Sequence, residues 1–260
     1  MSATRPVAVI TGGTQGIGRC TAELLAQRGY SLAIIDLHQP TATIAAIEAG
    51  GGHAVGFAGD ITSESTVASF CAEVLARYAR VDVLVNNAGI SLISPAEDTT
   101  AADYRRVLEV NLVAPFLLSQ AFGKHMLRAH SGSIVNVASV AGLLGVSDRA
   151  AYNASKHGLI GLTRTLAAEW GGRGVRVNAV CPGWVKTEMD VADQAGGSYT
   201  DEDIIHRVPM ARFASPDDIA RAIAFLANPR ESGFVNGHAL SVDGGWAADG
   251  SWESLRLRKR

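Results

Sequence analysis

Residues 7–18 read VAVITGGTQGIG, and this stretch decides the fold. Its first four residues, 7–10, are apolar and β-rich, which predicts a strand. Glycines follow at once, and a helical pattern begins at Ile17. In a strand, loop and helix in this order, glycines permit a tight turn and let backbone N–H groups approach a phosphate at the positive end of the helix. The stretch therefore predicts a dinucleotide-binding loop, with a plain glycine-rich turn as the alternative.

The rest of the chain alternates between short apolar runs and longer helical patterns. Further strands are predicted at residues 32–35, 81–85, 134–137 and 175–180, with weaker candidates at 53–57 and 238–242. Most of these runs are continuous rather than alternating, which is typical of strands covered on both faces. Helices are predicted at residues 17–29, 63–78, 101–129, 150–170 and 216–227. The order predicts an α/β fold, namely a Rossmann-type doubly wound sheet of about seven parallel strands with helices on both faces.

No low-complexity linker or internal repeat divides the chain, so we expect residues 1–260 to form a single dinucleotide-binding and catalytic domain. Residues 184–212 have no clear pattern, and a loop of that length in a compact domain usually has a function, which predicts a substrate lid. Residues 246–260 form a C-terminal tail with a basic end. We predict a solvated tail, with a cover over a neighbouring subunit's site as the alternative.

Charge and composition exclude several classes of partner. The chain carries 23 Lys and Arg residues against 25 Asp and Glu residues, so no overall field favours a nucleic acid or an anionic membrane. Its three cysteines and seven histidines show no metal-ligand spacing, and no metal is expected. No apolar run approaches the about 20 residues that cross a bilayer, and too few residues precede the first strand for a signal peptide. We expect a cytoplasmic protein with a small-molecule substrate.

Asp36 ends the second predicted strand and follows Gly18 by 18 residues. This is close to the offset of about 20 residues at which an acidic side chain meets the adenosine ribose of a bound dinucleotide. Its carboxylate can accept hydrogen bonds from the ribose hydroxyls, whereas a 2′-phosphate would bring like charges together. Asp36 therefore predicts NAD rather than NADP, the alternative being a carboxylate that only solvates the strand end.

Tyr152 and Lys156 lie four positions apart in a predicted helix, so their side chains project from one face. A phenol with an ordinary pKa of about 10 is a poor base at neutral pH, but a neighbouring ammonium favours its phenolate. Such a group can take the hydroxyl proton when hydride leaves an alcohol carbon, and return it in the reverse direction. Ser139 follows the predicted strand at 134–137, where its hydroxyl could hold the same substrate oxygen. The alternatives are a packing tyrosine and a helix cap.

Taken in order, these motifs resemble those of the short-chain dehydrogenase/reductase family, in its compact single-domain branch. The resemblance covers nearly the whole chain, from Val7 to about Gly245. It is carried by Thr11-Gly12-x-x-x-Gly16-x-Gly18, Asn86-Asn87-Ala88-Gly89, Tyr152-x-x-x-Lys156, Asn111, Ser139, Pro182-Gly183 and Thr187.

The resemblance implies an NAD-dependent oxidoreductase that acts on CH–OH groups and forms a homotetramer packed through residues 101–129 and 150–170. It implies a catalytic set of Asn111, Ser139, Tyr152 and Lys156. Asn111 would position a water that links Lys156 to solvent, unless it is only a satisfied buried amide.

By the same resemblance, Asp60 would contact the adenine and Thr187 would hold the nicotinamide carboxamide. The alternatives are a turn residue at Asp60, a strand-end cap at Asn87 and a loop hydroxyl at Thr187. The full set expected to bind the cofactor is Gly12, Thr14, Gln15, Gly16, Ile17, Gly18, Asp36, Asp60, Ile61, Asn87, Ala88, Gly89, Tyr152, Lys156, Pro182, Gly183, Val185 and Thr187.

The predicted lid is rich in acidic residues, which disfavours an acyl-carrier or coenzyme A thioester and favours a neutral polyol, sugar or hydroxyketone. Its charged residues are Glu188, Asp190, Asp193, Asp201, Glu202 and Asp203 against Lys186 and Arg207. Arg149 would meet a substrate carboxylate or the adjacent Asp148. Candidates for apolar walls are Val140, Leu143, Leu144, Trp184 and Met189. Two alternatives remain open, a 3-oxoacyl thioester reductase and a non-catalytic dinucleotide-binding regulator.

Overall fold

The structure is a computed structural model that describes residues 5–197, 199–252 and 256. Its strands are β1 Val7–Thr11, β2 Ser31–Asp36, β3 His53–Ala58, β4 Val83–Asn86, β5 Gly132–Val137, β6 Val175–Pro182 and β7 Ala239–Val242. All of them pair in parallel in one sheet, in the order β3-β2-β1-β4-β5-β6-β7. The predicted Rossmann-type fold with about seven parallel strands is confirmed.

Helices connect the strands. They are α1 Gly16–Gln27, α2 Thr41–Ala49, α3 Glu64–Tyr78, α4 Ala101–Leu108, α5 Ala114–Ala129, α6 Ala150–Trp170, α7 Glu188–Gln194, α8 Asp201–Arg207, α9 Pro216–Ala227 and α10 Pro229–Ser232. The helices predicted at 17–29, 63–78, 150–170 and 216–227 are confirmed within two residues at each end. In the part of the chain that the structure describes, no helix combines the length and the apolar character needed to cross a membrane.

Two stretches differ from the sequence prediction. The pattern at 101–129 is interrupted by a π-helical segment, Glu109–Val113, between α4 and α5. Pro115 lies in the first turn of α5 and lacks the N–H that a regular helix would donate to the carbonyl of Asn111, which accounts for the interruption at this point. The stretch at 184–212 is not one long loop, because it contains α7 and α8.

The core lies on both faces of the sheet. Successive side chains of a strand point to opposite faces, so Ile10 packs with Leu25 of α1 while Val9 packs with Phe122 of α5. All four of these side chains are completely buried. This double coverage is the physical reason why the strands have continuous apolar sequences.

The strand order creates a crevice at the carboxyl edge of the sheet. From β1 the chain proceeds through β2 to β3 on one side, and β4 then pairs with β1 on the other. The loops that follow β1 and β4 therefore diverge from neighbouring strand ends. In open α/β sheets this reversal point is where ligands bind.

Candidate active site

A cavity of about 430 Å³ opens at the carboxyl edge of the sheet. The glycine loop after β1 lines it, and so do Ser139, Tyr152 and Lys156. Of the catalytic and cofactor-binding residues predicted from the sequence, only Gly18 and Asn111 do not contribute to its wall. Among the described residues, no group of three or more His, Cys, Asp or Glu side chains could hold a metal ion.

The glycine loop is shaped by backbone conformations that other residues rarely adopt. Gly12 has φ +67° and Gly16 has φ +53°, both left-handed. A Cβ atom on Gly12 would lie 2.9 Å from the Cα of Ala88, and one on Gly18 would collide with the Gly12 carbonyl. Gly18 thus lets α1 approach the Gly12 backbone closely, although Gly18 itself does not line the cavity. Gln15, at the N-cap of α1, makes no side-chain capping bond and lines the cavity with Gly16 and Ile17, so the N-terminus of α1 borders the cavity as a phosphate site requires.

Asn87 fastens the glycine loop to the end of β4. Its Nδ2 donates to the carbonyls of Thr11 at 3.0 Å and Gly12 at 2.9 Å. Its backbone N–H donates to the Thr11 hydroxyl at 3.0 Å. Asn87 therefore joins neighbouring strand ends and lines the cavity at the same time.

Two carboxylates line the cavity near β2 and β3. The Oδ2 of Asp36 accepts hydrogen bonds from the backbone N–H of Thr14 at 3.0 Å and from its hydroxyl at 2.7 Å. The Oδ1 of Asp60 accepts from the N–H and the hydroxyl of Thr62, and its Oδ2 lies 3.6 Å from Arg106. The Thr62 hydrogen bonds, with a smaller contribution from Arg106, lower the pKa of Asp60. Both carboxylates are thus held in position by hydrogen bonds from a neighbouring threonine.

Tyr152 lies in the first turn of α6, and its half-buried phenol lies near Ser139 on the cavity wall. Burial makes the largest contribution and raises the pKa of Tyr152. Ser139 and the positive charge of Arg149 lower this pKa, whereas the negative charge of Asp193 raises it. The Oγ of Ser139 also accepts from the N–H of Ala141 at 3.1 Å. Ser139 therefore caps the short helix that begins at Val140, which is the alternative role considered above, and it also lies next to Tyr152.

Lys156 is buried one turn further along α6. Its Nζ donates to the carbonyl of Val137 at 2.9 Å and lies 5.5 Å from the centroid of the Tyr152 ring. Burial lowers the pKa of Lys156 to about 8. The expected placement of Tyr152 and Lys156 on one helix face is confirmed.

Asn111 is fully buried in the π-helical segment, and its side chain is committed to the protein. Its Nδ2 donates to the carbonyl of Ile90 at 2.9 Å and to the hydroxyl of Ser155 at 3.1 Å. Its Oδ1 accepts from the N–H of Ile90 at 2.9 Å. The satisfied buried amide foreseen as an alternative is therefore present, and any bound water would have to be held by the backbone carbonyl instead.

Arg149 forms a contact that sequence reasoning missed. Its Nη1 donates to the hydroxyl of Ser91 at 2.7 Å and to Asp193 Oδ2 at 3.0 Å. Arg149 forms no hydrogen bond or ion pair with Asp148 in this structure. Asp148 has a left-handed backbone, with φ 56°, and its carbonyl accepts a hydrogen bond from the N–H of Ser94. The acidic composition of the lid was a signal that some cation would pair with it, but it did not identify Arg149.

Part of the acidic charge of the lid is paired with a cation inside the protein. Lys186 pairs with Asp190 and Asp201, and Asp203 completes a capping box with Thr200 at the start of α8. The negative charge of the lid is therefore weaker evidence against a polyanionic substrate than the sequence indicates.

Three of the five candidate apolar wall residues line the cavity, namely Val140, Trp184 and Met189, and Leu143 and Leu144 do not.

The described part of the C-terminal tail is only partly solvated: Gly250, Ser251 and Trp252 are exposed, whereas Trp246, Asp249 and Arg256 are half-buried and contact the rest of the protein or one another. Trp246 stacks on Trp184 with ring centroids 4.2 Å apart and an interplanar angle of 17°. Arg207 lies over the Trp246 ring, and Asp249 pairs with Arg207 and Arg256. Residues 257–260, the basic end of the tail, lie outside the described residues.

Comparisons with known proteins agree with this fold. Residues 12–247 match a family model described as enoyl-(acyl carrier protein) reductase. The chain is 40% identical over 242 residues to the D-threitol dehydrogenase of Mycolicibacterium smegmatis, with 92% of each chain covered. It is 37% identical over 245 residues to a 3-oxoacyl-(acyl-carrier-protein) reductase of Synechocystis sp., with 93% of this chain and 97% of the relative covered.

A solved structure gives a similar result. It is assigned as an NAD(P)-dependent gluconate 5-dehydrogenase of Beutenbergia cavernae and contains NADP at low occupancy. The two chains are 42% identical, and the comparison covers 95% of this chain and 99% of the other with a TM-score of 0.88. The similarity thus extends over the whole cavity.

Proposed function

The chain belongs to the short-chain dehydrogenase/reductase family of oxidoreductases, and we propose that it interconverts a secondary alcohol and a ketone by hydride transfer. The observation that carries this proposal is that the side chains of Ser139, Tyr152 and Lys156 line the same cavity as the glycine loop after β1. Two hydroxyls that meet beside a dinucleotide groove can bind one substrate oxygen together. Such an oxygen is the alcohol or carbonyl oxygen of the substrate.

The cavity fits a nicotinamide dinucleotide. The left-handed glycines and the uncapped start of α1 offer backbone N–H groups to a pyrophosphate, and a Cβ at Gly12 would disturb the loop. We assign Asp36 and Asp60 to the adenosine half, and Pro182, Gly183, Val185 and Thr187 to the nicotinamide half. When bound, the nicotinamide ring accepts or donates the hydride.

In alcohol oxidation, the phenolate of Tyr152 takes the proton of the substrate hydroxyl at its Oη, while Ser139 donates a hydrogen bond to the same substrate oxygen. In ketone reduction, Tyr152 returns that proton. A positioned acid or base of this kind accelerates a reaction by about 10² to 10⁴-fold. Lys156 supplies positive potential beside the Tyr152 ring. The backbone carbonyl of Asn111, which receives no hydrogen bond from Pro115, holds the water that links Lys156 to solvent.

We propose NAD as the preferred cofactor. The carboxylate of Asp36 lines the cavity at the end of β2 and is held there by Thr14, so a 2′-phosphate in its vicinity would meet an anion. The NADP found in the gluconate dehydrogenase structure makes a direct comparison of the two cofactors the first experiment. The ratio of kcat/KM with NAD to kcat/KM with NADP is expected to be well above one.

For the substrate we propose a neutral polyol, sugar or hydroxyketone. The similarity to a threitol dehydrogenase supports this class, as do the polar side chains of Ser91, Asp190 and Tyr199 on the cavity wall beside Trp184 and Met189. Hydroxyls of a neutral substrate can form hydrogen bonds with such groups. Residues 184–212 act as the lid over this part of the cavity.

A second candidate is a 3-oxoacyl thioester reductase. It is favoured by the similarity to the Synechocystis reductase, and the pairing of Lys186 with Asp190 and Asp201 removes part of the argument against it. Reduction of an acetoacetyl thioester by NADH at a rate above that of neutral ketones would select this candidate.

The decisive experiment is a panel of polyols, sugars, hydroxy acids and hydroxysteroids, followed by NADH absorbance and repeated with NADP. Turnover of a neutral alcohol supports the proposal. Inactivity across the whole panel and its ketones would overturn it in favour of a non-catalytic dinucleotide-binding regulator, a role that does not need the Ser139, Tyr152 and Lys156 set.

We further propose a homotetramer packed through α4 with α5 and through α6. The exposed Phe116 of α5, with 42% of its surface accessible, supports this because a large apolar side chain gains stability when it is covered. Light scattering of the purified protein measures the assembly directly, and a monomer would contradict it.

A further inference from the structure

Arg149, Ser91 and Asp193 form a closed cluster on the cavity wall. Arg149 Nη1 donates to the Ser91 hydroxyl at 2.7 Å and to Asp193 Oδ2 at 3.0 Å, and the Ser91 hydroxyl donates to the same Oδ2 at 3.0 Å. The side chains of Arg149 and Asp193 are only 10% and 16% exposed. For comparison, the Lys186 and Asp201 side chains of the lid are 42% and 52% exposed. The cluster is thus a largely buried ion pair within the cavity.

The cluster lies beside the reacting position. The Cζ of Arg149 is 6.0 Å from the centroid of the Tyr152 ring, and Arg149 precedes Tyr152 by three residues at the start of α6. A substrate oxygen bound to Tyr152 would therefore place the neighbouring carbons within reach of the guanidinium. Guanidinium groups bind carboxylates strongly because their planar N–H groups match the two oxygens.

We propose that Asp193 occupies the position of a substrate carboxylate on Arg149, so that this ion pair determines specificity by selecting uncharged alcohols over hydroxy acids. The inference rests on the proposed function and identifies the residues that set its substrate class. An anionic substrate would have to displace Asp193 from a partly dehydrated ion pair and leave two carboxylates close together. Both effects oppose the binding of acids.

The same cluster joins the lid to the wall that carries Tyr152. Asp193 belongs to α7, whereas Arg149 lies before α6 and Ser91 follows β4. A substrate that competes for Arg149 would therefore also loosen α7 from the cavity. A neutral substrate leaves this contact in place.

The test uses the matched ligands isobutyrate and isobutyramide, which share a shape and differ in charge. Each is measured as an inhibitor of turnover of the best neutral alcohol, and by calorimetric titration with NADH present. Asp193→Asn keeps the shape of the side chain and removes its charge. We expect this variant to bind isobutyrate at least about tenfold more tightly, since a charged hydrogen-bonding partner becomes available. Isobutyramide binding should change by less than about threefold.

The tighter binding of isobutyrate should require the guanidinium of Arg149. The double variant Asp193→Asn with Arg149→Met is therefore expected to bind isobutyrate no more tightly than the unmodified protein. Asp217→Asn is the matched control, because Asp217 pairs with Arg221 at 2.6 Å outside this cavity. It should leave the binding of both ligands unchanged. Asp193→Ser replaces Asp193→Asn if the latter does not fold, as checked by its melting temperature.

Two results would overturn the inference: unchanged isobutyrate binding in the uncharged variants, or a gain that survives the loss of Arg149. The calorimetric titration does not depend on turnover. Absence of any alcohol or ketone turnover by the unmodified enzyme would instead refute the proposed function, so the two failures are distinguishable.

Discussion

The Nζ of Lys156 lies 5.5 Å from the centroid of the Tyr152 ring while its hydrogen bond goes to the carbonyl of Val137. Burial raises the pKa of Tyr152 and lowers that of Lys156 to about 8, so desolvation opposes charge on both groups. The phenolate therefore depends on Ser139 and Arg149, which lower the pKa of Tyr152. Four side chains, rather than a tyrosine and lysine alone, set the proton chemistry of the cavity.

The first prediction concerns the phenol itself. Tyr152→Phe removes only the hydroxyl, so we expect turnover to fall at least about 100-fold because the acid and base is lost. The affinity for NADH should change by less than about threefold, since the aromatic ring remains. Initial rates and a fluorescence titration with NADH measure the two effects. Tyr104→Phe, on α4 outside the cavity, is the control, and activity of the Tyr152 variant near that of the control would refute the mechanism.

The second prediction concerns pH. Arg149 lowers the pKa of Tyr152 and Asp193 raises it, so Arg149→Met removes a lowering charge and leaves a raising one. The pKa of Tyr152 in the variant should be higher. Alcohol oxidation needs the deprotonated phenol, so its rise in kcat/KM should move to higher pH. Ketone reduction needs the protonated phenol, so its decline should also move to higher pH.

The groups that face Tyr152 in this argument are Ser139, Arg149, Asp193 and Lys156, and only one of them is changed. Profiles of kcat/KM against pH in both directions measure the shift. Arg221→Met, at an exposed arginine of α9, should leave both profiles in place. A shift to lower pH in the Arg149 variant would contradict the electrostatic assignment.

The third prediction concerns cofactor choice. Asp36→Ala removes the carboxylate at the proposed ribose position, and we expect the ratio of kcat/KM with NADP to that with NAD to rise at least about tenfold. The change also removes the acceptor for Thr14, so activity with NAD should fall. Asp36→Asn retains an oxygen for Thr14 and separates the two effects. An unchanged cofactor ratio in both variants would remove Asp36 from the ribose site.

Much of the fold could be predicted because the sheet is buried on both faces, which makes strands such as 32–35 visible as continuous apolar runs. The glycine loop and the shared helix face of Tyr152 and Lys156 depend on local spacing, which a sequence displays directly. Helix α2 was missed because its apolar residues do not concentrate on one face, and only Thr43 and Ile47 are buried.

The contacts of the lid could not be predicted for a different reason. Arg149 and Asp193 are 44 residues apart, and their meeting depends on where α7 packs. Asn111 presents the same difficulty, because its side-chain bonds to Ile90 depend on a π-helical segment that no local pattern indicates. Local rules identify candidate residues, whereas tertiary packing chooses their partners.

The fourth prediction concerns the glycine loop. Gly18→Ala places a Cβ against the Gly12 carbonyl and near Asn87 Nδ2, so the loop must shift. We expect the affinity for NADH to fall at least about tenfold, because the N–H groups at the start of α1 lose their alignment with the pyrophosphate. Gly172→Ala is the control, since nothing lies within 4 Å of its added Cβ. Equal NADH affinity in the two variants would show that the loop does not bind the pyrophosphate.

The fifth prediction tests the C-terminal segment. Trp246 stacks on Trp184, which lines the cavity, so Trp246→Ala should loosen this wall. An aromatic pair contributes about 0.5–1.5 kcal/mol beyond its buried area, which corresponds to a rise in KM for the alcohol of about two- to tenfold. The tryptophan emission of the lid should shift as well, while NADH affinity changes little. Trp252→Ala, at a tryptophan that is 78% exposed, serves as the control. If both variants keep the original KM, the tail does not support the substrate end of the cavity.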